Sequence, residues 1–187
     1  MFLPWTPGSL TVTHEGPGNP WLTLQSLAAV PLAKPFSAGY TVRKTVTRVT
    51  PSNLPAGSYR RGDVLDVTLD VTSTADMAWV AITDPIPAGA TILGSGLGRD
   101  SEIAQQQGGA AGGEGGEGQA PSFEERSFSS WRGYYEWLPR GSLKVRYRVR
   151  VSNVGEFALP ATRVEALYAR EMFGEAPNVS VKVLPAQ

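Results

Sequence analysis

Cysteine is missing from this chain of 187 residues, which excludes disulfides, thiolate metal sites and cysteine nucleophiles within it. The same absence fits reducing and oxidising settings, so the redox compartment stays open. Histidine occurs once, at His14, too few for an imidazole metal site, and no nucleophile elbow accompanies it for a triad. A surplus of either charge is lacking as well. Lys+Arg and Asp+Glu number 17 each, so there is no overall field to draw nucleic acid or anionic lipid, and nucleic acid is not an expected partner. No stretch approaches the roughly 20 apolar residues that span a bilayer. Met1-Phe2-Leu3-Pro4-Trp5 has neither the basic start nor the apolar middle of a secretory signal. The expectation is a soluble chain whose start fits a mature secreted protein, an excised fragment or a cytosolic one.

Helical periodicity is nearly absent too, and what recurs is short alternating runs separated by Pro, Gly, Asn and Asp. Leu143, Val145, Tyr147, Val149 and Val151 share one side of an extended chain while Lys144, Arg146, Arg148 and Arg150 share the other. Leu65, Val67, Leu69 and Val71 repeat the pattern against Asp66 and Asp70. Further strands are expected over Ser9 to His14, Trp21 to Val30, Tyr40 to Val49, Met77 to Asp84, Phe123 to Ser129, Tyr134 to Leu138, Arg163 to Tyr168 and Asn178 to Val183. Asp63 to Thr72 and Met77 to Asp84 read as a hairpin joined at Ser73 to Asp76. Pro85 and Pro87 must end the second of these. The class is all-β, an antiparallel β-sandwich.

Two compositional breaks organise the chain. Seven of the eleven residues from Gly108 to Gly118 are glycine, which predicts a flexible loop, with a short helical turn between Gly94 and Gln107. Its glycines lack the strand and the GK[ST] or GxGxxG context of a phosphate cradle. Pro31 to Gly39, with two prolines within five residues, reads as an extended crossing between units. Residues 1–36 supply two strands, too few for a sandwich, so they belong with a preceding domain, and 37–187 form the sandwich domain.

Each chemically suggestive group has a plainer reading. Glu124-Glu125 and Asp63/Asp66 suggest an acid and base pair in a hydrolase cleft, yet Glu124 and Glu125, adjacent in a strand, face opposite ways, and surface charge is favoured. The basic row Lys144, Arg146, Arg148, Arg150 is either a partner-binding stripe or a wet sheet face balanced by Asp66 and Asp70. Phe123, Phe128, Trp131, Tyr134, Tyr135, Trp137 and Tyr147 form an aromatic cluster. Tyr135 and Trp137 share a face and are expected in the core, with Tyr134 turned the other way and accessible. A carbohydrate-binding platform would instead expose coplanar rings among Tyr134, Trp131 and Phe128. Asn178-Val179-Ser180 fits the glycosylation sequon within a terminal strand, where a chance match is the default.

Six pieces in order carry a family resemblance: Thr83-Asp84-Pro85-Ile86-Pro87-Ala88-Gly89-Ala90, Phe123-Glu124-Glu125-Arg126, Tyr135 to Gly141, Gly155-Glu156-Phe157-Ala158-Leu159-Pro160, Val164-Glu165-Ala166-Leu167-Tyr168 and Met172-Phe173-Gly174-Glu175. Over roughly residues 39 to 184 the chain resembles the C-terminal macroglobulin domain of bacterial alpha-macroglobulins, and Trp21 to Leu32 is similar to the end of the preceding CUB-like segment. The resemblance implies a macroglobulin, Ig-like sandwich within a large periplasmic protease trap, whose thioester, in another domain, captures proteases. With no cysteine this chain carries no thioester, so it implies a non-enzymatic domain without cofactor or metal. Its expected partners are the thioester and CUB-like domains of its own parent, target proteases through the parent, and a periplasmic accessory protein or penicillin-binding protein. Matched through Glu165-Ala166-Leu167-Tyr168, Leu167 and Tyr168 are the candidates that shield the thioester, with Tyr134, Arg146 and Arg148 as further partner contacts. The alternative is a surface adhesive or carbohydrate-binding Ig-like module.

Overall fold

A computed structural model describes residues 11–19, 21–23, 25, 32–94 and 120–186. The glycine-rich loop and the helical turn expected before it fall outside the described residues, save at Gly94. Packing divides the chain into two units, residues 1–31 and 32–187. In the first unit the described residues form no strand, so Thr11 to His14, Trp21 to Thr23 and Gln25 depart from the two strands expected there. Among the described residues no strand pairs with them, and a strand's backbone groups need such a partner.

Among its described residues the second unit contains thirteen strands and no helix. They are β1 (Phe36–Ala38), β2 (Tyr40–Arg48), β3 (Ser58–Arg60), β4 (Val64–Ser73), β5 (Met77–Pro85), β6 (Thr91–Ile92), β7 (Phe123–Arg126), β8 (Ser130–Leu138), β9 (Gly141–Arg150), β10 (Gly155–Phe157), β11 (Thr162–Ala166), β12 (Phe173–Ala176) and β13 (Val181–Leu184). A six-stranded sheet runs β1-β12-β11-β5-β8-β7 and a four-stranded sheet runs β2-β4-β9-β6. A small third sheet, β10-β13-β3, carries the parallel pair β13/β3. No helix among the described residues is long and apolar enough to cross a membrane.

The two strands with the clearest alternation lie side by side. Leu65, Val67, Leu69 and Val71 of β4 stand opposite Val149, Tyr147, Val145 and Leu143 of β9, and all eight are buried. On the reverse face Arg148 pairs with Asp66 at 2.7 Å and Lys144 with Asp70 at 3.2 Å, so β4 balances two of the four residues of the basic row. The hairpin expected between β4 and β5 does not form. β4 bonds to β2 and β9 in one sheet, whereas β5 bonds to β8 and β11 in the other. Each strand has one apolar face, and placing them in opposed layers lets both faces meet; Thr74, whose N–H and hydroxyl both donate to the Gly39 carbonyl, starts the crossing.

One carboxylate is buried between the layers. Asp84 on β5 accepts hydrogen bonds from Lys44 Nζ on β2 at 2.8 Å, from the Tyr147 hydroxyl on β9 and from the Thr162 hydroxyl on β11. Tyr147 also stacks on Trp131 of β8, with centroids 5.4 Å apart. Both sheets therefore meet at this charge.

Burial raises the Tyr147 phenol far above its ordinary value, and the neighbouring Asp84 charge and hydrogen bond push the same way. Tyr135 is raised by burial and then by Glu124. Below about pH 10 these phenols keep their protons folded or unfolded. Above it the unfolded chain ionises while the folded chain does not, so stability falls by up to about 1.4 kcal/mol per pH unit for each tyrosine. The urea midpoint should begin to drop near pH 10, and a midpoint unchanged through pH 11 would contradict this.

Candidate functional site

The outward face of the six-stranded sheet carries two rows of side chains. Phe36, Glu175, Arg163, Thr83, Arg132 and Glu125 line up across its six strands, and Ala38, Phe173, Glu165, Ala81, Tyr134 and Phe123 form the adjacent row. Its charges are committed to one another. Arg163 donates to Glu165 at 2.9 Å and to Glu175 at 2.5 Å while lying over the Phe173 ring, which stacks on Phe36. Arg132 reaches Glu125 at 3.3 Å, and the Tyr134 hydroxyl donates to the same carboxylate at 3.3 Å.

The regular alternation fails at one end of this sheet. Ala78 pairs with Trp137 and Val80 with Tyr135, but Trp79 is unpaired between them, with φ of 55°. Beyond the break the faces are exchanged. Leu138 is 3% exposed and Met77 packs on the core, while Trp137, at 50% exposure, is turned outward. Tyr135 is in the core as its alternation implies, but Trp137 is not. A residue in the left-handed region rotates the strand by half a pleat, and single-strand periodicity gives no sign of it.

Leu167 and Tyr168 follow directly at this end. The Leu167 N–H donates to the Trp79 carbonyl at 2.8 Å, so the segment leaving β11 is tied to the irregular residue. Trp79 is 44% exposed, Leu167 40% and Tyr168 83%. Tyr134 lies on the same sheet face. Arg146 and Arg148 lie on the outer face of the opposite sheet, where Arg146 stands across from Thr68 and Arg148 is held by Asp66. The five candidates therefore fall on two surfaces. Leu167 stands next to Trp79 through its backbone bond.

The paired carboxylates are each engaged by a neighbour. Glu124 accepts from Arg126 at 2.7 Å and from the Trp131 indole at 2.6 Å, on the other side of the strand from Glu125. Asp63 accepts from the Arg60 backbone and Asp66 from Arg148. Among the described residues no three His, Asp or Glu side chains converge as metal ligands would. A cavity of about 260 Å³ between the layers is walled by Val46, Leu65, Val67 and Val149, and Lys44 at its edge is already bonded to Asp84. The Asn178 amide donates to the Pro160 carbonyl at 2.6 Å and to Thr162 at 3.1 Å, so the sequon's acceptor nitrogen is engaged. The three rings of a sugar platform do not assemble either. Trp131 is 2% exposed in the core, and Phe128 projects from the β7–β8 turn.

The family description of the bacterial alpha-2-macroglobulin MG10 domain matches residues 39–171. No curated protein matches the chain. Among solved structures, native Escherichia coli alpha-2-macroglobulin is similar with a TM-score of 0.64 at 18% identity, over 84% of this chain and 10% of that one. The E. coli protein from domain MG7 to its C-terminus gives 0.64 at 16% identity, over 83% and 25%. Salmonella alpha-2-macroglobulin reacted with methylamine gives 0.63 at 18%, over 81% and 10%. These likenesses show a shared fold, and this chain spans between a tenth and a quarter of the chains compared.

Proposed function

Because this chain belongs to the bacterial alpha-2-macroglobulin family and carries its MG10 domain, we propose that it works without catalysis, as a docking and locking domain of a longer periplasmic protease inhibitor. Residues 37–187 supply the docking sandwich and residues 1–36 the end of a preceding CUB-like domain with its linker. The partners are other domains of the same protein, the thioester domain first. Target proteases are met through the parent, and an accessory periplasmic protein is a further candidate.

The observation that carries this reading is Tyr168, a large ring 83% exposed just past the end of β11. An isolated fold gains nothing from such a ring, whereas a neighbouring domain gains about 2 kcal/mol by burying it. Laid over a thioester, the ring excludes water and amines until the domains separate. Tyr134, Arg146 and Arg148 are secondary contacts, the first on the same sheet and the two arginines on the opposite one.

In the full-length protein, Tyr168→Ala should raise the rate of methylamine uptake about tenfold, the effect of shifting the covered state by somewhat over 1 kcal/mol. Thermal unfolding of the domain should not move, since the side chain makes no hydrogen bond among the described residues. Unchanged uptake would remove the lock. The alternative, an adhesive or carbohydrate-binding module with exposed rings among Tyr134, Trp131 and Phe128, loses Trp131, which is in the core.

A further inference from the structure

We propose that Lys44 and Asp84 become joined by an amide bond, a covalent tie between the two larger sheets of a chain that has no cysteine to make one. Lys44 Nζ on β2 lies 2.8 Å from the Asp84 carboxylate on β5, with side chains 11% and 0% exposed. In water an ammonium and a carboxylate do not condense, because hydration stabilises the separate ions. Between these layers that stabilisation is gone. Holding two ions away from water is costly, whereas a neutral amide carries no such cost. A contact fixed by two strands also replaces a chance encounter.

The step balances without a further reagent. Across the 2.8 Å contact Nζ passes one proton to Oδ1, which leaves a neutral amine beside a neutral acid, the forms that a dry interior favours. The Nζ lone pair then attacks Cγ, and the carbonyl electron pair moves to Oδ2. The Tyr147 hydroxyl already donates to Oδ2 and stabilises the charge that collects there. A second proton moves from the nitrogen to Oδ1, the Cγ–Oδ1 bond breaks and one water leaves. The Thr162 hydroxyl donates to this departing oxygen. Lys44, Pro85 and Tyr147 also border the cavity of about 260 Å³, which receives the water.

The product finds its partners already in place. The new carbonyl keeps the Tyr147 hydroxyl, and the new N–H has the Pro85 carbonyl, which Nζ reaches at 3.3 Å. Thr162, on losing Oδ1, has the Asn178 side-chain oxygen at 3.5 Å. The tie spans 40 positions of sequence and limits how far the unfolded chain can open, as a disulfide would.

Proteolysis of the denatured full-length protein, read by tandem mass spectrometry, tests the bond. The peptide carrying Lys44 should be joined to the one carrying Asp84, and the pair should be lighter than the sum by one water. Lys182 and Glu156 give the comparison, 2.7 Å apart but with side chains 55% and 70% exposed, and they should not be joined. Recovery of Lys44 and Asp84 only in separate peptides would overturn the proposal. Equal linkage of the two pairs would also overturn it, since burial would then not be the cause. Lys44→Arg keeps the positive charge without the amine and should show no joined peptide, and a joined peptide persisting there would place the link elsewhere and sink the assignment. In Tyr147→Phe, which keeps a ring against Trp131 and loses the hydroxyl, the bond should form about a hundredfold more slowly after synthesis. An unchanged rate in that variant would contradict the step as written.

Discussion

Asp84→Ala should lower the unfolding temperature of the domain by about 10 °C or leave it unfolded. The carboxylate is fully buried and is the common acceptor of Lys44, Tyr147 and Thr162, which belong to three other strands in both sheets. Without it the Lys44 ammonium, whose side chain is 11% exposed, keeps the Pro85 carbonyl at 3.3 Å but loses its counter-charge. Breaking one side of a buried pair in this way costs about 3–5 kcal/mol. The orphaned hydroxyls add about 1 kcal/mol or more each unless water reaches them. A domain of this size has only about 5–15 kcal/mol in hand. Replacing both members of the pair, Asp84→Leu with Lys44→Met, should recover part of the loss, because two apolar groups leave no charge behind. Thermal denaturation followed by circular dichroism measures both, and a single-variant loss below about 1 kcal/mol would show that the charge pair does not hold the layers together.

Gly174→Ala should be nearly as damaging, for a different reason. A Cβ at this position would stand 2.3 Å from the Tyr40 carbonyl oxygen and 2.8 Å from its carbon. Both are backbone atoms of β2, and β12 is pinned between β1 and β11, so neither strand can retreat without breaking a ladder. Overpacking against an immovable neighbour costs about 3 kcal/mol or more. Gly62→Ala is the contrast. There a Cβ meets nothing within 4 Å, and only the φ of 99° opposes it. That conformational cost is about 1 kcal/mol. Urea midpoints should separate the two variants clearly, and equal losses would mean that β12 and β2 can move apart.

The sandwich was readable where one strand carries its own evidence. The alternation of β4 and β9 names the buried residues one by one, because a strand with one wet face needs no knowledge of its neighbours. Which strand lies beside which is a different matter. β4 and β5 are adjacent in sequence and look like a hairpin, yet period two reports only the face of a strand and never its partner. β1, β3, β6, β10 and β12, of two to four residues, are too short for any period to register.

Asp84 illustrates a second limit. Beside Pro85 it looks like a turn residue, and its burial is imposed by Tyr147 and Thr162, which are 63 and 78 positions away. The surface proposed for docking draws on the sequence in part. Leu167 and Tyr168 were named through family resemblance, and Tyr134 through its parity with Tyr135. The outward turn of Trp79 and Trp137 was not readable, because the exchange of faces depends on one backbone angle that Met77-Ala78-Trp79-Val80 does not announce.

Methylamine uptake by the full-length protein, compared among wild type, Tyr168→Phe and Tyr168→Ala, bears most directly on the idea that this exposed end is a cover. If the ring is what excludes the amine, phenylalanine should stay near the wild-type rate and alanine should exceed it about tenfold. Equal rates in all three proteins, or no uptake by any of them, would contradict the account.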